Sequence, residues 1–284
     1  MVKHIIPNTL LETLEALNSS SYHIMAGGTD LMIQKRNSAG TVPKFSKNVL
    51  YIANLKELDF IRFDEKTCLS HIGAATKLED IHTHEKVPPL LKDIIGDIGG
   101  PGIRHSGTLG GNIANASPAG DGLVGLYLLD AEIKITSLND ERIIPIKKFI
   151  KGVRFVDLKD NEIITEIIIP SCPFTNYKWV KVGGRKADSI SKVSFAGLYK
   201  INNGLVEDIR FAFGSVATTV ARNVELENSL KNKSIPAIID ELPRILEECD
   251  KIIAPISDQR SNKEYRRKVA LNIVENFIKE LKEF

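Results

Sequence analysis

The segment from Gly96 to Gly125 holds ten of the 20 glycines in this chain of 284 residues. Helices and strands rarely tolerate glycine at this density, because each glycine costs backbone entropy and weakens the element that contains it. Glycine also has no Cβ atom, so the backbone around it can come close to a ligand. We therefore predict that this segment is a loop whose backbone approaches a bound molecule.

The most distinctive part of the segment runs from Thr108 to Asp121 and reads Thr-Leu-Gly-Gly-Asn-Ile-Ala-Asn-Ala-Ser-Pro-Ala-Gly-Asp. Its glycines, amides, hydroxyls and carboxylate predict a long irregular polar segment with many backbone groups to satisfy. A shorter loop, Ala-Gly-Gly-Thr-Asp over 26–30, follows a predicted strand over 22–25. A Gly-Gly turn alone is more often plain geometry. Together, however, the loops favour a phosphate or sugar site, because unshielded amides can converge on a diphosphate and the hydroxyls of Thr29 and Thr108 can assist.

Several other classes of protein are disfavoured by the sequence. There is no Gly-x-x-x-x-Gly-Lys-Ser/Thr motif, and no Gly-x-Gly-x-x-Gly-like stretch stands between a strand and a helix, which argues against Walker NTPases and Rossmann dehydrogenases. Lysine and arginine total 38 against 36 acidic residues, so no broad positive field attracts nucleic acid or an anionic membrane. The apolar stretches are far shorter than the roughly 20 residues of a membrane-spanning helix, and the N-terminus lacks a signal-peptide pattern. We expect a cytoplasmic protein without membrane insertion.

The three cysteines, Cys68, Cys172 and Cys249, lie far apart and form no Cys-x-x-Cys pair. An iron–sulfur cluster is held by four suitably spaced ligands, which this chain does not provide. The histidines, including His82 and His84, lack the i, i+4 spacing of metal ligands on a helix. We therefore predict three isolated thiols and no metal site.

Two helix starts are indicated by short polar motifs. Thr9 with Glu12, and Thr76 with Glu79, have the spacing of a capping box, in which the two side chains satisfy free amides at the first turn. Both places are therefore predicted to begin helices.

A domain boundary is predicted near Thr175, after the prolines at 170 and 173. Before it, the first fifty-odd residues predict a small α/β unit, and a second segment opens with a predicted hairpin near residue 60. The residues after it, 175–284, begin with strands joined by tight turns and become helical from residue 220. They predict a small antiparallel sheet covered by helices.

The two loops, in this order and about eighty residues apart, resemble the paired FAD-binding motifs of the flavoprotein subunits of molybdenum hydroxylases, the xanthine dehydrogenase and carbon monoxide dehydrogenase family. The resemblance continues through 181–193, Lys-Val-Gly-Gly-Arg-Lys-Ala-Asp-Ser-Ile-Ser-Lys-Val, and through 214–230 and 260–266, so it covers nearly the whole chain. It implies an α+β chain. A FAD-binding domain of the PCMH or vanillyl-alcohol-oxidase type would occupy 1–174 as two α/β subdomains, over about 1–55 and 56–174. A domain similar to the C-terminal domain of CO dehydrogenase flavoproteins would follow over 175–284.

The resemblance also implies which residues contact FAD. Ile24 to Leu31 would wrap the diphosphate, and Thr108 to Asn112 would contact the cofactor from the second subdomain. Asp121 would hold the cofactor by hydrogen bonds, Ile164 would pack against the isoalloxazine and Lys181 would lie near the flavin. The implied cofactor-binding residues are Ile24, Met25, Ala26, Gly27, Gly28, Thr29, Asp30, Leu31, Ile98, Thr108, Leu109, Gly110, Gly111, Asn112, Asp121, Ile164 and Lys181. From the residues alone, Ile98 and Ile164 would be core residues. Lys181 would be a solvated charge, and Asp121 could equally cap the segment that follows it. His105 stands where the family more often has asparagine, so no side-chain role is implied there.

The function that the resemblance implies is electron transfer. A substrate would be oxidised at a molybdenum cofactor in a large partner subunit, and electrons would cross two 2Fe–2S clusters in a small one. FAD in this chain would pass them to NAD, which we take as the first choice of acceptor, with ferredoxin or a quinone as the alternatives. No catalytic side chain is required, because a flavin carries the redox chemistry itself. Two alternatives stay open. One is a self-contained FAD-dependent oxidoreductase of the same fold, which would need its own substrate pocket; the other is a non-catalytic protein whose loops bind a nucleotide or support partner contacts.

Overall fold

The computed structural model describes residues 2–171, 174 and 176–281. Cys172, and Thr175 at the predicted domain boundary, lie outside the described residues. The chain forms two compact units, each made of segments that are not adjacent in the sequence. The first unit comprises Met1–Val87, Gly99–Ala116 and Asp130–Ser171, and the second comprises Pro88–Ile98, Ser117–Leu129 and Cys172–Phe284. The division into 1–174 and 175–284 stays a prediction.

The elements of the described residues are numbered in chain order. The helices are α1 Leu10–Ser19, α2 Leu31–Gln34, α3 Leu78–Thr83, α4 Pro89–Gly96, α5 Pro101–Arg104, α6 Leu109–Asn115, α7 Asp121–Leu128, α8 Ile146–Phe149, α9 Val224–Leu230, α10 Ile235–Asp240, α11 Leu242–Ile252 and α12 Lys263–Lys279. The strands are β1 His4–Ile5, β2 Tyr22–Met25, β3 Asn48–Tyr51, β4 Ile61–Asp64, β5 Leu69–Gly73, β6 Glu132–Thr136, β7 Glu141–Pro145, β8 Ile150–Gly152, β9 Phe155–Val156, β10 Ile163–Pro170, β11 Asn176–Val182, β12 Val193–Asn202 and β13 Leu205–Gly214. Within residues 2–171, 174 and 176–281, no helix is both long and apolar enough to cross a membrane.

The first unit contains two main sheets. A three-stranded parallel sheet has the order β1-β3-β2, with Ile24 paired opposite Leu50. Leu14 and Leu17 of α1 pack with Leu50 in one core, as the apolar spacing of that helix predicts. A five-stranded antiparallel sheet has the order β4-β5-β10-β6-β7. The loop over 26–30 leaves the carboxyl end of β2, the edge of a parallel sheet at which ligands commonly bind.

One of the two predicted capping boxes is wrong. Thr9 caps α1, and its hydroxyl accepts the amide of Glu12 at 3.1 Å. Thr76 caps no helix, because its hydroxyl exchanges hydrogen bonds of 3.1 and 3.0 Å with the amide and carbonyl of Phe60. Glu79 lies inside α3 and accepts a hydrogen bond from Arg104 at 2.6 Å. Partners distant in the sequence therefore replace the local cap in the second case.

The second unit is built on the antiparallel sheet β11-β12-β13, and helices α9 to α12 contribute to the core against it. Phe195 and Phe277 meet with ring centroids 5.3 Å apart. Gly197 leaves room for this packing, since a Cβ atom there would lie 2.5 Å from the Phe277 ring. Cys249 is buried in the same core, and burial raises the pKa of its thiol to about 12. The α+β fold and the C-terminal sheet covered by helices are confirmed.

The glycine-rich stretch is not the long irregular loop that the sequence predicts. Helices α5, α6 and α7 interrupt it, and α6 lies inside the segment from Thr108 to Asp121. A Cβ atom at Gly110 would lie 2.5 Å from the carbonyl oxygen of Ala74, within the first unit. Close packing against a neighbouring backbone therefore requires glycine inside this helix and offsets its entropic cost.

Candidate functional site

Two loops of the first unit lie in direct contact. We call residues 26–30 the nest loop. Residues 106–112, which include the first turn of α6, are called the clasp loop. A Cβ atom at Gly27 would lie 1.9 Å from the carbonyl oxygen of Ser106 and 2.8 Å from Cα of Gly107. The hydroxyl of Ser106 also donates to the carbonyl oxygen of Gly27 at 2.8 Å. The absence of a side chain at Gly27 is therefore what lets the two loops meet.

The nest loop offers a row of free amides. Within the described part of the chain, the backbone amides of Gly27, Gly28, Thr29 and Asp30 donate to no other residue. Gly28 has a φ of +71°, in the left-handed region that favours glycine. Successive amides in such a turn form a concave nest that binds anions. This arrangement fits the diphosphate of a dinucleotide.

Asp30 brings a negative charge to the end of the nest loop. Desolvation raises the pKa of the Asp30 carboxyl, and the charge of Arg154 opposes that rise. The amide of Arg154 donates to the carbonyl oxygen of Ala116, just after α6, at 3.0 Å. Arg154 thus supplies a cation close to a carboxylate that would otherwise repel a bound phosphate.

The clasp loop does not offer free amides in the same way, which corrects the expectation that both loops would. Leu109 donates to the carbonyl oxygen of Thr76 at 3.3 Å, and Gly110 donates to that of Ala74 at 3.1 Å. The amide of Gly111 is bound at 3.1 Å by the hydroxyl of Thr108, which is the N-cap of α6. The Thr108 hydroxyl thus accepts a hydrogen bond within the protein, and its own O–H remains able to donate to a ligand.

The clasp loop instead presents one unsatisfied side chain. The Oδ1 atom of Asn112 is buried and has no hydrogen-bond partner among the described residues. A buried acceptor without a partner costs about 1–3 kcal/mol, so native proteins rarely leave one unless a ligand or water completes it. The free amides of the nest loop and this acceptor together fit a cofactor such as FAD, which carries both phosphates and hydroxyl groups.

A second group of implied residues lies in the second unit. Lys181 on β11 forms an ion pair of 2.8 Å with Asp121, at the start of α7, and also donates to the carbonyl oxygen of Asp97 at 2.6 Å. Ser191 donates to the other carboxylate oxygen of Asp121 at 2.6 Å. Burial raises the pKa of the Asp121 carboxyl, and the Lys181 ammonium opposes the rise. Asp121 is therefore not a helix cap, and Lys181 is not a solvated charge.

The remaining implied residues are placed as follows. Ile24 and Met25 end β2, and Leu31 begins α2 after the nest loop. Ile98 is half-buried in the second unit, beside Asp97 in the sequence. Ile164 is 4% exposed on β10 in the first unit, next to an irregularity in its pairing with β6.

Two polar residues of the site were missed by sequence reasoning. Ser106 is one, and the only signal for it was its position in the glycine-rich stretch. Asn115 is the other; its side chain accepts a hydrogen bond of 2.8 Å from Gln34, which joins α2 to the end of α6. Both bonds link positions about eighty residues apart, so local pattern carries no information about them. In the part of the chain that the structure describes, no three histidine, cysteine or acidic side chains are grouped as a metal site.

Comparison with known proteins gives two family matches that together span most of the chain. Residues 1–172 match the FAD binding domain in molybdopterin dehydrogenase, and residues 178–281 match the CO dehydrogenase flavoprotein C-terminal domain. The chain is 30% identical over 279 residues to the xanthine dehydrogenase FAD-binding subunit of Escherichia coli, an alignment that covers 96% of this chain and 93% of that one.

Further relatives agree in length and fold. The chain is 32% identical over 240 residues to the glyceraldehyde dehydrogenase medium chain of Sulfolobus acidocaldarius, which is 82% of each chain. The crystal structure of quinoline 2-oxidoreductase from Pseudomonas putida has a chain that matches with a TM-score of 0.86 at 21% identity, covering 99% of this chain and 96% of that one. The structural match establishes the shared fold, and the sequence matches establish the relationship.

Proposed function

Since the chain belongs to the family of FAD-binding medium subunits of molybdenum hydroxylase-type dehydrogenases, we propose that it passes electrons from the iron–sulfur clusters of a partner subunit to NAD or another acceptor. Its cofactor is FAD, and it is a component of an oxidoreductase. The observation that carries the proposal is the contact between the nest loop and the clasp loop. The loop whose four amides have no partner among the described residues thus packs against the loop that carries the unsatisfied Asn112 side chain.

We assign roles to individual residues from the hydrogen-bonding groups that their contacts within the protein leave unused. We assign the diphosphate to the amides of the nest loop, because anions bind where successive N–H groups are unpaired. We propose that Asn112 Oδ1, which has no partner among the described residues, accepts a hydrogen bond from a donor group of the cofactor. Lys181 uses two of its three ammonium donors on Asp121 and Asp97, so one is left for the flavin region. Asp121 then acts on the cofactor through the position of Lys181 as well as through its own remaining lone pairs.

We infer which subunit holds which cofactor from the iron–sulfur ligands that are missing from this sequence. Its three cysteines cannot supply the four ligands that an iron–sulfur cluster takes. We therefore propose a small 2Fe–2S subunit as electron donor and a large subunit with the molybdenum cofactor as the site of substrate oxidation. A bound flavin supplies chemistry that links one-electron carriers to a two-electron acceptor such as NAD. The chain's own contribution is to bind the cofactor, orient it and set its exposure. The cytoplasmic location stays a prediction.

Affinity purification of the tagged full-length chain from its native cell tests the subunit proposal. We expect a large molybdenum-containing protein and a small cysteine-rich protein to be recovered with it in constant ratio. A Gly27→Ala variant expressed at the same level serves as a comparison for the dependence of assembly on FAD. Recovery of the chain alone, with full dehydrogenase activity on its own, would instead establish a self-contained oxidoreductase.

The acceptor is tested on the same purified complex. After anaerobic reduction with substrate or dithionite, rapid mixing with NAD should restore the oxidised flavin spectrum within the turnover time of the complex. Reoxidation by ferredoxin or a quinone, with no response to NAD, would contradict the choice of NAD and leave the electron-transfer role in place.

A further inference from the structure

The peptide bond between Gly27 and Gly28 is fixed from one side only. Its carbonyl oxygen accepts the 2.8 Å hydrogen bond from the hydroxyl of Ser106, a residue 79 positions away in the clasp loop. Its amide, that of Gly28, donates to no described residue. The carbonyl and the N–H of a trans peptide point in opposite directions. The bond to Ser106 therefore directs the Gly28 amide away from the Ser106 hydroxyl. We call this the open side of the nest, because no described residue accepts the amide there.

This peptide would rotate easily without that bond. Glycine has the widest choice of backbone angles, and here it stands on both sides of the peptide, with Gly28 already at a φ of +71°. A rotation of the peptide plane would replace the Gly28 amide by the Gly27 carbonyl oxygen on the open side of the nest. An amide attracts a phosphate and a carbonyl oxygen repels it, so such a rotation would weaken an anion site.

We propose that Ser106 is a positioning residue for the cofactor, whose hydroxyl holds the Gly27–Gly28 peptide in the orientation that presents the Gly28 amide to the diphosphate of FAD. The inference rests on the proposed use of the nest loop as the diphosphate site, and it assigns a role to a side chain outside the glycine motifs.

Other contacts keep the two loops together when the hydroxyl is removed. Gln34, in the helix α2 that follows the nest loop, remains bonded at 2.8 Å to Asn115, at the end of the helix α6 that continues from the clasp loop. The hydroxyl oxygen of Thr29 lies only 3.4 Å from the point where a Cβ of Gly107 would stand, and the backbone at Gly27 stays packed on Ser106. The loss of the hydroxyl should therefore change the orientation of one peptide and leave the fold of the unit intact.

The test compares Ser106→Ala, Ser106→Thr and Ser19→Ala in the full-length chain. Ser19 is the matched control, because its hydroxyl also donates to a backbone carbonyl at 2.8 Å, in α1 and away from the loops. We expect Ser106→Ala to raise the dissociation constant of FAD about tenfold, the effect of one lost hydrogen bond. Ser106→Thr keeps the hydroxyl and should restore the affinity, while Ser19→Ala should bind FAD as the wild type does. The melting temperature of each apoprotein should stay close to the wild-type value.

Each other outcome overturns a distinct statement. Wild-type affinity in Ser106→Ala would show that the hydroxyl does not position the peptide, although the wild type binds FAD. Equal loss in the alanine and threonine variants, or a matching fall in the melting temperature of the apoprotein, would assign Ser106 to packing alone. Failure of the wild type to bind FAD would overturn the proposed function itself.

Discussion

The Gly27→Ala variant is expected to lose FAD almost completely. The new Cβ atom would lie 1.9 Å from the carbonyl oxygen of Ser106, 2.5 Å from its carbonyl carbon and 2.8 Å from Cα of Gly107. All three are backbone atoms and cannot rotate away, so the nest loop and the clasp loop must separate. Overpacking of this kind costs about 1–3 kcal/mol, and the nest loses the geometry on which binding depends. We expect affinity for FAD to fall at least about 100-fold, which corresponds to roughly 2.7 kcal/mol.

Equilibrium titration of the apoprotein with FAD measures this effect, and Gly152→Ala is the matched control. Gly152 lies on β8 in the same unit, and a Cβ atom there would meet nothing within 4 Å. The control should bind FAD normally. Circular dichroism of both apoproteins shows whether the variant is folded. A folded Gly27→Ala protein with wild-type affinity would contradict the claim that contact between the loops forms the site.

The second large effect is expected on stability, from Lys181→Met. The ion pair between Lys181 and Asp121 is buried, with side chains 10% and 6% exposed. Removal of the ammonium takes away the opposite charge and leaves a buried carboxylate bonded to the Ser191 hydroxyl. Breaking a buried pair in this way costs about 3–5 kcal/mol. Urea denaturation at neutral pH should show this loss in the free energy of unfolding.

The loss should depend on pH with a definite sign. Without Lys181, the pKa of Asp121 in the folded protein is expected to rise further, because burial raises it already and the opposing charge is gone. Between the unfolded pKa of about 3.9 and the higher folded value, the folded state holds a proton that the unfolded state has released. Stability of the variant should therefore fall as the pH rises through that window.

Two further variants distinguish the stability cost of an unpaired buried charge from the cost of replacing any lysine. Asp121→Asn combined with Lys181→Met removes both charges and keeps a group that can bond Ser191, so it should recover part of the lost stability. Lys251→Met, in the exposed ion pairs of α11 with Glu247 and Glu248, should cost no more than about 1 kcal/mol. A Lys181→Met protein as stable as the Lys251→Met protein would contradict the interpretation of Lys181 as a buried structural cation.

The elements that could be predicted from the sequence are those set by local chemistry. Thr9 caps α1 as its spacing with Glu12 predicts, and one of the tight turns predicted after residue 175 joins β12 to β13 in an antiparallel pair. The helices inside the glycine-rich stretch could not be predicted, because Gly110 is required by Ala74 of a distant segment. The same holds for Thr76, whose bonds to Phe60 replaced the expected cap.

For the site, the sequence supplied the positions of the two loops but not their different roles. The glycine pattern is equally compatible with free amides in both loops. Only the structure distinguishes the unpaired amides around Gly28 from those of Gly110 and Gly111, which are bonded within the protein. Asp121 and Lys181 likewise form a buried pair across a long sequence separation, a contact that neither residue's local surroundings indicate.

The visible absorption spectrum of the purified full-length chain, with identification of the released cofactor, shows whether the chain binds FAD. We expect a yellow protein with a flavin spectrum and about one FAD released per chain on denaturation, or uptake of that amount by apoprotein given added FAD. A folded, colourless protein that takes up no FAD at all would contradict this expectation.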